Sequence, residues 1–160
     1  MVDFGETVTT VAPMGTTAYY LTLSDLRFIT MASRTEVSVE DTTAPQITVE
    51  VTPDSIWPPN HEMVKFTASV EVTDVCDDAP SFVLTSITSN EPDNDTGDGN
   101  TVDDIQGADF GTPDTEFFLR RERKGNGTGR VYTITYTATD GSGNSSSASD
   151  QVTVAHDQSK

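Results

Sequence analysis

The sequence has very few of the residues on which redox, zinc and nucleophilic sites depend. Its 160 residues include one cysteine, Cys76, and two histidines, His61 and His156. A single cysteine excludes a disulfide framework within the chain, and so few histidines and cysteines argue against a zinc site. No G-x-S-x-G, H-E-x-x-H or phosphate-binding loop occurs. The sequence therefore predicts a protein that is not an enzyme.

Basic residues and long apolar runs are also scarce. Nine Lys and Arg stand against 26 Asp and Glu, which gives a formal net charge of −17. Phosphate backbones and anionic lipid surfaces repel such a chain, so we expect no nucleic-acid partner. No run approaches the ~18 apolar residues of a membrane span, so we expect no membrane insertion. A divalent cation suits this charge better, and Ca²⁺ is the natural choice for an extracellular or cell-surface protein.

Thr, Ser, Asp, Gly and Asn are abundant, and the apolar residues that occur between them alternate with polar ones. The alternation is clearest in "MVKFTASVEVTD" (63–74) and "GRVYTITYTATD" (129–140). Four further segments predict strands: "QITVEV" (46–51), "SFVLTSIT" (81–88), "TEFFLRRE" (115–122) and "DQVTVA" (150–155). "KGNGTG" (124–129) predicts a hairpin tip that joins the strand at 115–122 to the strand at 129–140. No segment keeps a helical period, so we predict an all-β, two-sheet sandwich.

The first 42 residues repeat features of the end of the chain. "AYYLTLSD" (18–25) is similar to "VYTITYTATD" (131–140), and "TEVSVED" (35–41) is similar to "DQVTVAHD" (150–157). Residues 1–42 are therefore either the tail of a preceding repeat or additional strands packed on the main domain. Residues 43–160 form that main domain.

Two stretches carry a family resemblance. "DTTAPQI", followed about a hundred residues later by "YTITYTATDGSGNSSSASDQVTV", resembles bacterial immunoglobulin-like repeats, including the hyalin-repeat kind. The segment from "WPPNHEMV" to "YTITYTATD" also resembles C-terminal modules of large secreted bacterial proteins. The resemblance implies an immunoglobulin-like sandwich that acts in spacing, adhesion or targeting beside neighbouring domains of a longer chain. Residues 89–114 exceed the typical repeat, which indicates a long acidic loop insertion.

The acidic loop, "SNEPDNDTGDGNTVDD" (89–104), contains six acids and no base. The Asp-x-Asp-x-x-Asp-Gly spacing approximates that of calcium loops, in which several oxygens surround one hard cation. It is not an EF-hand, because the third Asp is displaced and no Glu follows twelve positions after the first. Basic residues 120–124 could neutralise the loop instead, or water alone could solvate it. The candidate calcium ligands here are Glu91, Asp93, Asp95, Asp98, Asp103 and Asp104.

A second calcium site is expected at the junction before the main domain. Asp41 precedes the first strand of that domain, and Asp140 begins the turn "DGSGN". In tandem immunoglobulin-like repeats, acids at one pole often share a calcium ion. The resemblance therefore implies that Asp41 and Asp140 share one here. Asp74, Asp77 and Asp78 belong to that pole or to the opposite one. The alternative for Asp140 is an ordinary side-chain-capped turn.

Trp57 supports a competing function. A Trp beside a loop can stack on sugar rings, which would make the chain a carbohydrate-binding module attached to a secreted polysaccharide-active enzyme. Tyr19 and Tyr20 are further candidates for stacking, and a polysaccharide or a surface receptor is then the partner. The structural alternative is that Trp57 plugs one end of the sandwich, held by the stiff Pro58–Pro59 turn.

Overall fold

The computed structural model describes residues 15–21, 33–95 and 97–156, and the chain divides into two compact units. The first unit is Met1–Thr42 and the second is Thr43–Lys160. In the first unit, strands β1 (Gly15–Leu21) and β2 (Ser33–Val39) pair antiparallel, with Gly15 opposite Val39.

The second unit consists of two four-stranded sheets. One sheet has the order β3-β5-β8-β7 and is antiparallel throughout. The other has the order β4-β10-β9-β6, in which only β4 and β10 are parallel. The described residues form no helix, so the prediction of an all-β sandwich is confirmed. The strands are β3 (Gln46–Thr52), β4 (Ser55–Ile56), β5 (Met63–Thr73), β6 (Ser81–Ser89), β7 (Ile105–Gln106), β8 (Glu116–Arg120), β9 (Gly129–Thr139) and β10 (Ser145–Ala155).

The core lies between the two sheets and is built from the alternating residues of the strands. In β9 every second residue is buried while the threonines between them face outward, as the period of two requires. Phe66 of β5 and Phe117 of β8 stack with their ring centroids 6.2 Å apart. The buried core residues are Val51, Ile56, Phe66, Ala68, Leu84, Ile87, Phe117, Leu119, Tyr132, Ile134, Tyr136, Val152 and Val154.

Two local predictions are wrong. The segment 124–129 is not a hairpin tip, because β8 and β9 belong to different sheets and the segment crosses from one sheet to the other. The last strand begins at Ser145 and not at residue 150. Its first half is rich in serine and lacks the large apolar residues on which the prediction relied.

The edge strand β3 is joined to β10 of the other sheet by a side chain. Asp150 lies on the inward side of β10, and its Oδ2 accepts a hydrogen bond from the backbone N–H of Val51 at 2.7 Å. An edge strand has no neighbour on one side to accept its backbone N–H groups. At Val51 the Asp150 carboxylate takes the place of that missing neighbour.

Candidate cation site and the acidic segment

The acidic segment, residues 89–104, lies between β6 and β7, and a buried arginine stands at its centre. The side chain of Arg130 is 0% exposed, and it forms ion pairs with Glu91, Asp98 and Asp104. Its Nη2 also donates to the backbone oxygen of Pro92 at 2.9 Å. Arginine is rarely buried unless it is paired, so these carboxylates and Arg130 stabilise one another.

Asp104 is the most deeply buried acid that Arg130 contacts through a hydrogen bond. It is 2% exposed and also accepts a hydrogen bond from Arg120 Nε at 2.9 Å. Burial raises the pKa of Asp104, and the hydrogen bond from Arg130 acts in the opposite direction. At neutral pH the carboxylate therefore depends on its guanidinium partners more than an exposed one would.

Asp93 and Asp95 have other partners within the same region. Asp93 accepts hydrogen bonds from the backbone N–H groups of Asp104 and Asp103, at 2.8 and 2.9 Å. These bonds lower the pKa of Asp93. Asp95 forms an ion pair with Lys124, with 3.1 Å between Oδ2 and Nζ. Basic side chains and backbone N–H groups thus bind five of the six acids of this segment: Glu91, Asp93, Asp95, Asp98 and Asp104.

The basic cluster at residues 120–124 is divided between partners. Arg120 and Lys124 contact the acidic segment. Arg121 instead donates to the backbone oxygen of Trp57 at 3.5 Å, and Arg123 donates to that of His156 at 2.8 Å. Only part of the cluster therefore compensates the acidic charge, and Arg130, which is outside the cluster, pairs with three carboxylates of the segment.

Sequence reasoning missed Glu122, which is fully buried beside the acidic segment. Its Oε2 lies 3.0 Å from His61 Nδ1 and accepts a hydrogen bond from Thr101. Its Oε1 is buried and has no hydrogen-bond partner among the residues that the structure describes. Gly99 lies against the His61 ring so closely that a Cβ there would come within 2.6 Å of His61 Cε1. No pattern in the sequence distinguishes Glu122 from the other acids.

At a different pole of the sandwich, acids from two turns lie close together. Within the described residues of the second unit, Asp74 and Asp140 belong to a group of acids that could hold a metal ion. Asp41, the other acid predicted at this junction, is the next-to-last residue of the first unit. Asp74 and Asp140 each offer a carboxylate oxygen within 4.8 Å of the other. None of the acids predicted in the segment 89–104 belongs to this group.

Asp140 is held by the turn that it begins. Its Oδ1 accepts the backbone N–H groups of Ser142 and Asn144 at 2.9 and 2.8 Å, and its Oδ2 accepts the Asn144 side-chain amide. Burial acts to raise the pKa of Asp140, but the hydrogen bonds from Asn144, Ser142 and Gly143 together outweigh it and lower the pKa. The side chain therefore stays ionised well below neutral pH.

Asp74 directs one oxygen to its own turn and leaves the other without a partner. Its Oδ1 accepts the backbone N–H groups of Cys76 and Asp77 at 2.8 and 2.9 Å. Its Oδ2 is buried and has no hydrogen-bond partner within the described ranges. Asp77 connects the two turns, since its Oδ2 accepts the N–H of Gly141 at 2.7 Å. The fold therefore fixes Asp74 and Asp140 beside one another.

The donor set at this pole is composed of carboxylate oxygens. Hard cations such as Ca²⁺ prefer oxygen ligands, whereas zinc sites use nitrogen and sulfur. A recess of about 120 Å³ borders Asp74 and is lined also by Thr43, Ala44, Gln46, Thr73 and Val75. The donor atoms at this pole are therefore of the kind that hard cations prefer, and they do not match a zinc site.

Of the three residues predicted to stack on sugars, the structure describes the side chain of Trp57 alone. Trp57 is 38% exposed, so it neither fills the core nor lies fully on the surface. The side chains of Tyr19 and Tyr20 lie outside what the structure describes.

Comparisons with protein-family models, with curated proteins and with solved structures find no match to this chain. In the described residues, no helix has the length and apolar character to cross a membrane.

Proposed function

We propose that the chain is a non-catalytic, calcium-binding, immunoglobulin-like module of a secreted or cell-surface bacterial protein. It acts in spacing, adhesion or targeting of the neighbouring domains of a longer chain. The observation that carries the proposal is the buried, unpartnered Oδ2 of Asp74 beside the carboxylate of Asp140.

The contrast with the acidic segment supports a cation at this pole. Glu91, Asp95 and Asp104 each face an Arg or Lys. Asp74 and Asp140 have no ion pair with a basic side chain in the described structure, although their oxygens lie within 4.8 Å of one another. Two adjacent carboxylates repel each other, and an oxygen buried without a partner costs free energy. A bound Ca²⁺ removes both costs.

The strand order supports the immunoglobulin-like assignment. The sheet orders β3-β5-β8-β7 and β4-β10-β9-β6 correspond to the A-B-E-D and G-F-C arrangement of that fold, with β4 as an extra edge strand. Tyr132 near the start of β9 donates its hydroxyl to the backbone oxygen of Arg120 at 3.0 Å. A tyrosine that bonds an upstream backbone oxygen from this strand is a common feature of the fold.

Calcium titration of metal-stripped protein tests the proposal. We expect a rise in melting temperature in millimolar Ca²⁺, since a ligand at a hundred times its dissociation constant stabilises the folded state by about 2.7 kcal/mol. Asp74→Asn and Asp140→Asn should abolish the rise and the calorimetric binding signal. Asn keeps an oxygen that can accept the backbone N–H bonds of each turn, so each variant removes the charge and retains those bonds. Asp140→Asn also loses the bond from the Asn144 side-chain amide.

Three further variants locate the site. Asp78→Asn is the matched control, because Asp78 is exposed in the same turn as Asp74, and it should bind Ca²⁺ normally. Asp41→Asn tests the acid that the sequence predicts beside Asp140. Asp103→Asn tests the acidic loop: if it alone abolished binding, the calcium site would lie in residues 89–104. A melt that is identical in chelator and in Ca²⁺ would refute calcium binding.

A carbohydrate-binding module is the second candidate, because Trp57 exposes more than a third of its surface. Adsorption to insoluble polysaccharide that is lost in Trp57→Ala would favour this function. Adsorption that is unaffected by the substitution would remove Trp57 as its basis.

A further inference from the structure

The outward side of the β6-β9-β10 sheet is covered by hydroxyl groups. Its strands place Ser, Thr, Val and Gln at every outward position, and none of these residues is charged. We call this surface the hydroxyl face. Its residues are Ser81, Val83, Thr85, Ser86 and Thr88 of β6; Val131, Thr133, Thr135, Thr137 and Thr139 of β9; and Ser145, Ser147, Ser149, Gln151 and Thr153 of β10.

The hydroxyls of this face are ordered by one another across the strands. Thr137 Oγ1 lies 2.9 Å from the Ser147 hydroxyl and 2.7 Å from the Thr85 hydroxyl. Thr135 Oγ1 lies 2.8 Å from the Ser149 hydroxyl. These bonds fix the direction of several side chains before any ligand arrives, which lowers the entropy cost of binding.

The absence of charge is specific to this side of the sandwich. The outward side of the β3-β5-β8-β7 sheet carries Glu50, Lys65, Glu71, Glu116 and Arg120. The chain as a whole has a net charge of −17. An uncharged surface of three adjacent strands is therefore not a consequence of composition alone.

We propose that the hydroxyl face binds a neutral polysaccharide. A cationic or anionic partner would find no countercharge on this face, and the negative charge of the rest of the chain repels an anionic polymer. A protein partner would find no Trp, Tyr or Arg, the residues that contribute most to protein interfaces. A neutral polymer of hydroxyl groups matches the face, because a hydroxyl both donates and accepts.

The regularity of the face suits a polymer with repeated units. Neighbouring strands lie about 4.8 Å apart, and outward residues recur about every 6.7 Å along a strand. A repeating ligand can therefore make the same weak contact many times, so that the contacts add up along the polymer. This face shares no residue with the Trp57 candidate or with the acids of the proposed calcium site.

Adsorption to insoluble polysaccharides tests the proposal on the full chain. The probes are microcrystalline cellulose, chitin and starch granules, with carboxymethyl cellulose as the anionic counterpart of cellulose. We expect binding to at least one neutral polymer and none to carboxymethyl cellulose. The double variant Thr135→Val and Thr137→Val keeps the branched shape and removes two hydroxyls, and it should weaken adsorption by roughly tenfold.

The matched control is Thr48→Val with Thr67→Val, on the outward side of the other sheet, which should adsorb like the parent. If the first pair lowers the melting temperature, Ser147→Ala with Ser149→Ala replaces it, with the same expectation. The proposal is overturned if the parent adsorbs to none of the three neutral polymers or if both pairs weaken adsorption equally. It is also overturned if Trp57→Ala removes adsorption while the hydroxyl-face variants retain it. Calcium binding is read in a different assay and stands or falls independently.

Discussion

Arg130 and Asp104 form an ion pair in the interior of the sandwich, where their side chains are 0% and 3% exposed. Arg130 enters from β9 and Asp104 comes from the end of the acidic segment. Through this pair the segment is attached to a core strand, and part of its negative charge is compensated inside the fold.

Replacing Arg130 with Met should therefore destabilise the protein strongly. The substitution leaves buried carboxylates without a partner, and removal of one member of a buried ion pair costs about 3–5 kcal/mol. Urea denaturation measures the loss. Lys65→Met is the control, because the Lys65–Glu116 pair is exposed and contributes about 0–1 kcal/mol. Similar small losses in both variants would contradict a structural role for Arg130.

Gly99→Ala should destabilise the protein through His61. The added Cβ would come within 2.6 Å of the His61 ring, and Gly99 has a φ of +102° that L residues rarely adopt. Gly111→Ala is the control for backbone strain alone, since Gly111 has a φ of +82° with nothing near the added Cβ. We expect Gly99→Ala to cost more than Gly111→Ala in thermal or urea melts.

The double variant Gly99→Ala with His61→Ala separates the two causes. If the steric contact is responsible, the two substitutions together cost less than the sum of the single ones. Strict additivity would show that the His61 ring is not the obstacle.

Stability should fall in strong alkali because of two buried tyrosines. Burial raises the pKa of Tyr132 to about 12, and burial likewise raises the pKa of Tyr136 to about 12. The folded-state pKa of each tyrosine lies above its unfolded value of about 10. Each tyrosine's contribution to the free energy of unfolding is therefore complete below pH 10 and is lost as the pH rises from 10 to 12. Ultraviolet absorbance should show the two residues ionising with unfolding. Ionisation of both near pH 10 in folded protein would contradict this.

Asp77→Ala should weaken calcium binding although Asp77 is not among the proposed ligands. Asp77 holds the turn that contains Asp74 against Gly141, next to Asp140. Loss of a residue that orients metal ligands commonly costs 10–100-fold in affinity. Isothermal titration with Ca²⁺ measures the change, with Asp78→Asn as the unaffected neighbour. An unchanged affinity would show that the two turns keep their arrangement without this bond.

Alternation alone predicted most of the sandwich. The strands in which large apolar residues alternate with polar ones, such as β5 and β9, are found with the expected faces inward. The two-residue strands β4 and β7 are too short for any period to be detected. The first half of β10 was missed because it lacks large apolar residues. Its serine hydroxyls instead form hydrogen bonds with threonines of β9.

The charged sites were harder to predict, because charge compensation depends on contacts between residues far apart in the chain. Arg130 shares the inward side of β9 with Tyr132 and Ile134, so the same alternation places it in the interior. Its partners come from residues 26 to 39 positions away, which no spacing rule could identify. Asp74 and Asp140 likewise meet only because the turns after β5 and β9 lie at one pole.

The carboxylate of Asp150 has a further consequence for the free edge of β3. Exposed edge strands are where separate molecules join into continuous β-sheets, and proteins commonly protect them with charged side chains. Asp150 occupies the N–H of Val51 and places a negative charge at the edge. A second copy therefore cannot use this N–H group for strand pairing, which disfavours extension of the sheet through the β3 edge at Val51.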